Sequence, residues 1–192
     1  MKSIRLAHPS DAPSALAIYA PIVAATAISF ETEIPTAREI ERRIATTLEF
    51  APWLVLLEDG EMAGYAYASR HRERAAYRWC VDVSVYVGEK HRRRGVGRAL
   101  YTSLFTLLRL QGFYAAHAGV TLPNGASVRL HESLGFRPVG VYPAVGFKQG
   151  VWHDVGWWQL PLRERAGEPQ PLLTPDELRR QPGFEAALEV SR

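Results

Sequence analysis

A single cysteine, Cys80, in 192 residues excludes an intrachain disulfide and leaves no second thiolate to complete a zinc pair. No apolar run approaches the roughly 20 residues a membrane helix needs, and the opening MKSIRLAHPSDAPS lacks the apolar stretch of a signal peptide. A soluble, cytoplasmic chain with no membrane partner is the expectation. Excess charge is small as well: 23 Lys and Arg against 20 Asp and Glu leave +3, which suits a small anionic ligand and does not demand a polyanion. There is no internal repeat, and 47% apolar content over this length supports one sizeable core. Cys80 reads as a small hydrophobe buried on a strand rather than as a nucleophile.

What is present is most concentrated in residues 81–110. Val81, Val83, Val85 and Val87 alternate with Asp82, Ser84 and Tyr86, the period of a half-buried strand. Val96, Leu100, Leu104, Leu107 and Leu108 then fall on one face of a helix. Between them lies the basic, glycine-bearing turn Arg92-Arg93-Arg94-Gly95-Val96-Gly97. Glycines let backbone approach a ligand closely, and the orphan N–H groups and positive dipole end of a new helix attract an anion. A merely solvated charge run does not explain two glycines at this spacing. A nucleic-acid surface would spread its basic residues over a face, whereas the strongest cluster here is one turn, so no nucleic-acid partner is expected.

The remaining elements follow from pattern and punctuation. KSIRLA is a strand, and Ser10 or Asp11 caps a helix that Pro21 ends or kinks. AISFETEIPT is extended, and AREIERRIATTLEF is a helix with Ile40, Ile44 and Leu48 on one face. WLVLLED and MAGYAYASR form a hairpin around Asp59-Gly60. After the glycine helix come the strand FYAAHAGVT, a break at Pro123-Asn124-Gly125, a short helix ending at Gly135, and a final hairpin turning at Gln149-Gly150. The order is β-α-α-β-β-β-α-β-α-β-β, followed by a proline-rich tail that turns helical near TPDELRRQPGFEAALEV.

RRRGVG, placed between a strand and a helix, resembles the R/Q-x-x-G-x-G/A signature of the GNAT acyltransferases, and the element order is similar to theirs over residues 2 to about 162. The resemblance implies an α/β (α+β) fold with a mixed, mostly antiparallel sheet of about seven strands, splayed at its middle and flanked by about four helices. It implies residues 1–163 as the GNAT domain and 164–192 as a tail with a short helix. It also implies acetyl coenzyme A as co-substrate, with no metal. The turn Arg92, Arg93, Arg94, Gly95, Val96, Gly97 and Arg98 would cradle its pyrophosphate, and the strand at Val85, Tyr86 and Val87 would pair with the pantetheine arm. AYRWCVDVSVYV, TLPNGASVRLHESLGF and GFKQGVWHDVGWWQL resemble the phosphinothricin and methionine sulfoximine acetyltransferases within that family. In that group the last hairpin makes dimer contacts, so a homodimer is implied.

Acetyl transfer to an amine needs a base for the amine, a polarised carbonyl and a proton for the departing thiolate. Asp82 is the first candidate base, although the phosphinothricin group carries a glutamate at the matching position, two residues before S/T-V-Y-V. The lost methylene withdraws the carboxylate by roughly an ångström, a displacement that can cost on the order of 100-fold. The competing role for Asp82 is a paired carboxylate on the polar side of the strand. His131 is the second candidate, at the position where the resemblance implies a proton-exchanging histidine. His153 reads as structural, and the other four histidines carry no such support. Asn124 suits either a pantetheine contact or ordinary turn chemistry. A backbone N–H near Val85 to Val87 is the candidate oxyanion donor. By resemblance Arg72, Arg74 and Tyr77 hold the anionic ends of an amino-acid substrate, with Phe30 and Tyr86 lining its pocket; guanidinium groups grip carboxylate and phosphinate in forked pairs. Trp152, Trp157 and Trp158 read as core and dimer packing. The function implied is N-acetylation of a small anionic amino acid by direct attack, of a kind shared by resistance enzymes and housekeeping detoxifiers. Two rivals stay open: another acceptor such as a peptide N-terminus or polyamine, and a GNAT fold kept as a non-catalytic binding module.

Overall fold

The computed structural model describes residues 1–190, built around a seven-stranded sheet. The strands are β1 (Lys2–Leu6), β2 (Trp53–Glu58), β3 (Glu61–Arg70), β4 (Cys80–Val87), β5 (Ala115–Leu122), β6 (Arg137–Lys148) and β7 (Val151–Pro161). Their order is β1-β2-β3-β4-β5-β7-β6, and only β4 and β5 run parallel. The helices are α1 (Ala12–Ala25), α2 (Ala37–Leu48), α3 (Val96–Gln111), α4 (Gly125–Ser133), α5 (Pro175–Arg179) and α6 (Phe184–Ala187). The first four match the count that the resemblance implied for the domain, and the last two belong to the tail, where one short helix was expected.

Local chemistry accounts for most boundaries. Both hairpins turn on a pair of positive-φ residues, Asp59 and Gly60 at 52° and 84°, and Gln149 and Gly150 at 53° and 78°. Two such residues make the tight turn whose twist matches the flanking strands. Thr36 caps α2 by accepting from the Glu39 amide. The start of α1 departs from expectation: Asp11 stands at its N-cap without a capping bond, because its carboxylate takes Arg5 and the His8 amide instead. Pro21 neither ends nor marks the end of α1, which runs on to Ala25. A proline removes one ladder bond, and packing of Tyr19, Ile22 and Val23 on either side of it offsets that loss. Residues 27–35, expected to be extended, hold no regular element and bend at 27–29 and 32–33.

Two apolar layers sandwich the sheet. On one face α3 buries Leu100, Leu104, Leu107 and Leu108 against Val81, Val83, Ala116 and Ala118. Each such leucine contributes roughly 1.5–3 kcal/mol relative to exposure. On the other, α1 and α2 lay Ala15, Tyr19, Ile40 and Ile44 over Trp53, Val55 and Tyr65. The tail joins the first layer, where Leu178, Phe184 and Ala187 are buried. Its backbone is tied by Leu173 donating to the Gln111 carbonyl, and by the Trp79 indole donating to the carbonyl of Gln170. Among the described residues no helix is long and apolar enough to cross a membrane.

Candidate active site

The parallel pair β4–β5 is joined at only three positions, Cys80 with Ala115, Val81 with Ala116 and Asp82 with His117. Beyond Asp82 the strands part, while β3 still pairs β4 to Val87 and β7 pairs β5 to Leu122. The edge of β4 from Val83 to Val87 therefore faces a cleft. Its walls include Ser84, Val85, Tyr86, Tyr101, Gly119, Asn124, Ser127 and His131. Val85, Tyr86 and Val87, the residues expected to meet a pantetheine arm, lie along that unpaired edge.

At the far end of the strand the turn meets the chemical demands of a diphosphate. Arg93 and Gly95 hold φ of 61° and 81°, and Gly95 forms the N-cap of α3 with no side chain over the opening. The first helical bond comes only from Ala99 to the Gly95 carbonyl, so the amides of Gly95, Val96, Gly97 and Arg98 are free for an anion. Gly97 favours a small residue for a different reason: a Cβ there would sit 3.2 Å from the Leu130 side chain of α4, which would have to give way. The basic residues divide their labour. Arg94 pairs with Glu58 at 2.9 Å and Arg98 donates to the Ser133 hydroxyl at 2.7 Å. Lys90 pairs with Glu61, and the buried His91 bonds Glu58 at 2.8 Å. Among the described residues neither Arg92 nor Arg93 meets a carboxylate, which leaves these two for a ligand. Acetyl-CoA fits this donor set, with its pyrophosphate on the open amides and the two arginines.

His131 is buried on α4, its Nδ1 2.8 Å from the Ser127 carbonyl and its Nε2 3.2 Å from the Tyr101 hydroxyl. Nδ1–H donates to the carbonyl, so Nε2 accepts from the phenol. Burial pushes the imidazole down and holds it neutral, and burial pushes the Tyr101 phenol far above its ordinary range. Tyr101, itself buried in the core, also lines this cleft. Asn124 caps α4 by accepting from the Ser127 amide at 3.1 Å, which leaves its NH2 group for the cleft.

On the acceptor side, β4 points Asp82, Ser84 and Tyr86 to the same face as Tyr65, Tyr67 and Ser69 of β3, their register partners. The Tyr86 ring rests edge-on against Tyr19 at 4.9 Å and beside Tyr65 at 5.4 Å. Asp82 accepts from His71 Nδ1 at 2.6 Å, and burial raises its carboxyl above the usual range against the lowering pull of His71 and Arg72. His71 in turn stacks on His117 at 4.3 Å, and the Gln159 amide lies 2.9 Å from His117 Nε2. Asp82, His71 and His117 offer ligand atoms within 4.8 Å of one another. The imidazole planes are only 19° apart, however, so their in-plane lone pairs do not converge on one ion.

The arginine loop surrounds this cluster. Arg72 donates to the His71 carbonyl at 2.7 Å and lies over Trp157 at 5.9 Å; Tyr77 meets His71 edge-on at 5.9 Å. Arg74 and Tyr77 are exposed. Phe30 is farther off, against Gly146 of β6 and 6.2 Å from His153. Trp158 is core, but Trp157 faces the site, packed 3.3 Å from where a Gly119 Cβ would stand, and Trp152 is exposed. Trp157 thus corrects the expectation that all three were core or dimer packing. Cys80 is half-buried rather than buried, and burial still raises its thiol, which keeps it a poor nucleophile. His71 and His117 were missed because they are non-adjacent in sequence and meet only through the β4–β5 register.

Known proteins share this architecture. A GNAT acetyltransferase domain model matches residues 4–157. A phosphinothricin N-acetyltransferase of Streptomyces viridochromogenes is 39% identical over 88% of this chain and 92% of its own. An L-methionine sulfoximine/L-methionine sulfone acetyltransferase of Salmonella typhimurium is 36% identical over 85% and 96%. The crystal structure of a phosphinothricin acetyltransferase from Sinorhizobium meliloti, in complex with acetyl-CoA, superposes with a TM-score of 0.86 at 34% identity, over 94% of this chain and 99% of that one. With its splayed strands, its open helix terminus and these likenesses, the chain belongs to the GNAT acetyltransferases and uses acetyl-CoA.

Proposed function

We propose that the chain acetylates the α-amino group of a small anionic amino acid of the phosphinothricin or methionine sulfoximine type. The observation that carries this reading is the arginine loop: Arg72 anchors beside Asp82 and His71 at the mouth of the cleft, with Arg74 and Tyr77 exposed next to it. An acceptor gripped there by its carboxylate and its second acidic group would present its amine to the strand edge. Acetyl-CoA supplies the activated acetyl group. The chain's own residues fix the amine, take its proton on the Asp82 side, offer a backbone N–H near Val85 to Val87 to the oxyanion, and return a proton from the His131–Tyr101 pair to the leaving thiolate.

Attack is direct, since the half-buried Cys80 thiol is the wrong nucleophile, and a coenzyme-dependent acetyl adduct on Cys80 would refute it. Steady-state kinetics with phosphinothricin, methionine sulfoximine and methionine sulfone, beside a peptide and a polyamine, test the acceptor. Transfer to the peptide or polyamine with none to the amino acids defeats the proposal. The reading extends to a cytoplasmic detoxifying or resistance enzyme, and to a homodimer. Val139, Val141, Tyr142, Val145, Phe147, Val151 and Trp152 expose an apolar strip along β6 and β7 that supports self-association.

A further inference from the structure

Asp82 is not a free carboxylate. Its Oδ1 is taken by His71 Nδ1 at 2.6 Å, with both side chains largely shielded, 27% and 15% exposed. A carboxylate accepts, so Nδ1 carries the hydrogen and the Nε2 lone pair is left available. Among the described residues no group hydrogen-bonds that nitrogen. The ring is held on several sides, by His117 stacked on its face at 4.3 Å, Trp157 at 6.3 Å and Tyr77 at 5.9 Å. We propose that His71, oriented by Asp82, is the group that takes the proton from the acceptor's amine, so that the base of this chain is a histidine–aspartate pair rather than a lone carboxylate.

The pair answers the shortened side chain at position 82. A hydrogen bond and the width of an imidazole carry the basic atom farther out than a glutamate's extra methylene would. Position along the strand agrees, because Asp82 is the last residue paired across β4–β5 and the cleft opens immediately after it. The anion anchor agrees too: Arg72 is the next residue and is bonded to the His71 carbonyl. An α-amino acid held by its carboxylate there would bring its amine close to the ring. An aspartate that fixes tautomer and stabilises the imidazolium is the general logic of such pairs.

The step balances without a further reactant. One N–H bond of the acceptor ammonium breaks as a proton binds His71 Nε2, and the freed lone pair forms the C–N bond to the thioester carbonyl while the C–S bond breaks. The amine's second proton reaches the thiolate by way of the Tyr101–His131 pair, and His71 returns its own to solvent. The groups facing His71 are Asp82, His117, Arg72 and Tyr77.

This inference rests on the acetyl-transfer reading above, and the test separates the two. His71→Gln, Asp82→Asn and the double variant are compared with wild type on whichever amine wild type acetylates best. Each single change should lower kcat by about 100-fold or more with the KM for acetyl-CoA within about twofold, and the double should fall no further than either single. The acid limb of the kcat/KM profile should vanish in His71→Gln, and added imidazole should restore part of the rate to His71→Gly. Fluorescence-monitored coenzyme binding verifies that each variant is folded. A His71→Gln enzyme within threefold of wild type, or one keeping the acid limb, overturns the pair while leaving acetyl transfer intact. No turnover by wild type on amino acid, peptide or polyamine overturns both.

Discussion

Lys148, at the end of β6, donates its buried ammonium to the carbonyl oxygen of Ser29 at 2.7 Å, and to that of Val23 at the same distance. One side chain thus staples the last hairpin to the loop that carries Phe30. Lys148→Met keeps the length but leaves two carbonyls without a donor. It should cost about 2–4 kcal/mol, read as a lower urea midpoint, and should raise the acceptor KM more than that of acetyl-CoA. An unchanged midpoint would show the staple to be idle.

His117 gives the fold a pH dependence of predictable sign. Burial, with the neighbouring His71, Arg165 and Arg72, pushes its imidazole down to about 4 from an ordinary 6.5. As pH falls through 6.5 the unfolded chain takes the proton first, so stability that is complete above 6.5 is lost between 6.5 and 4. Allowing for screening of a partly exposed ring, the loss is about 1–2 kcal/mol. Asp82, held above the carboxylate range, contributes with the opposite sign, so the comparison of wild type with His117→Gln isolates the imidazole. The difference in urea midpoint between the two should shrink toward pH 4.

The phosphate turn makes a sharper distinction than its run of arginines suggests. Arg92→Ala and Arg93→Ala should each raise the acetyl-CoA KM by roughly 5- to 10-fold, the loss of one charge-assisted hydrogen bond. Arg94→Ala, whose guanidinium already serves Glu58, should change it by less than about twofold. Equal effects at all three positions would refute that division.

On the outer hairpin, Phe147 and Trp152 face each other across the strands at 5.3 Å, 57% and 62% exposed. Trp152→Glu places a charge in this strip and should convert a dimer to monomer by sedimentation analysis, because a desolvated, unpaired carboxylate costs several kcal/mol. A wild-type monomer would remove the premise.

Local pattern carried much of this in advance. The alternation of β4, the glycines opening α3 and the Asp59-Gly60 turn are short-range signals, and each formed where its spacing said. The failures were of longer range. Whether Pro21 breaks a helix depends on what packs around it. Which of three adjacent arginines is spent on Glu58 depends on where β2 ends. His71 and His117 look like unrelated histidines 46 positions apart until the parallel register sets Asp82 opposite His117. Trp157 and Trp158 are neighbours, yet a strand sends one to the site and the other to the core.

The last turns of chain, Leu178 and Phe184 among them, are built into the layer beneath α3, whereas residues 163–168 leading to them are exposed and irregular. A protease meeting the native protein would therefore find its entry in the connector, at Arg163 or Arg165, and the severed C-terminal piece would stay docked. Handling that removes the piece outright would leave a greasy scar on α3, so shelf life and solubility hang on residues remote from the chemistry.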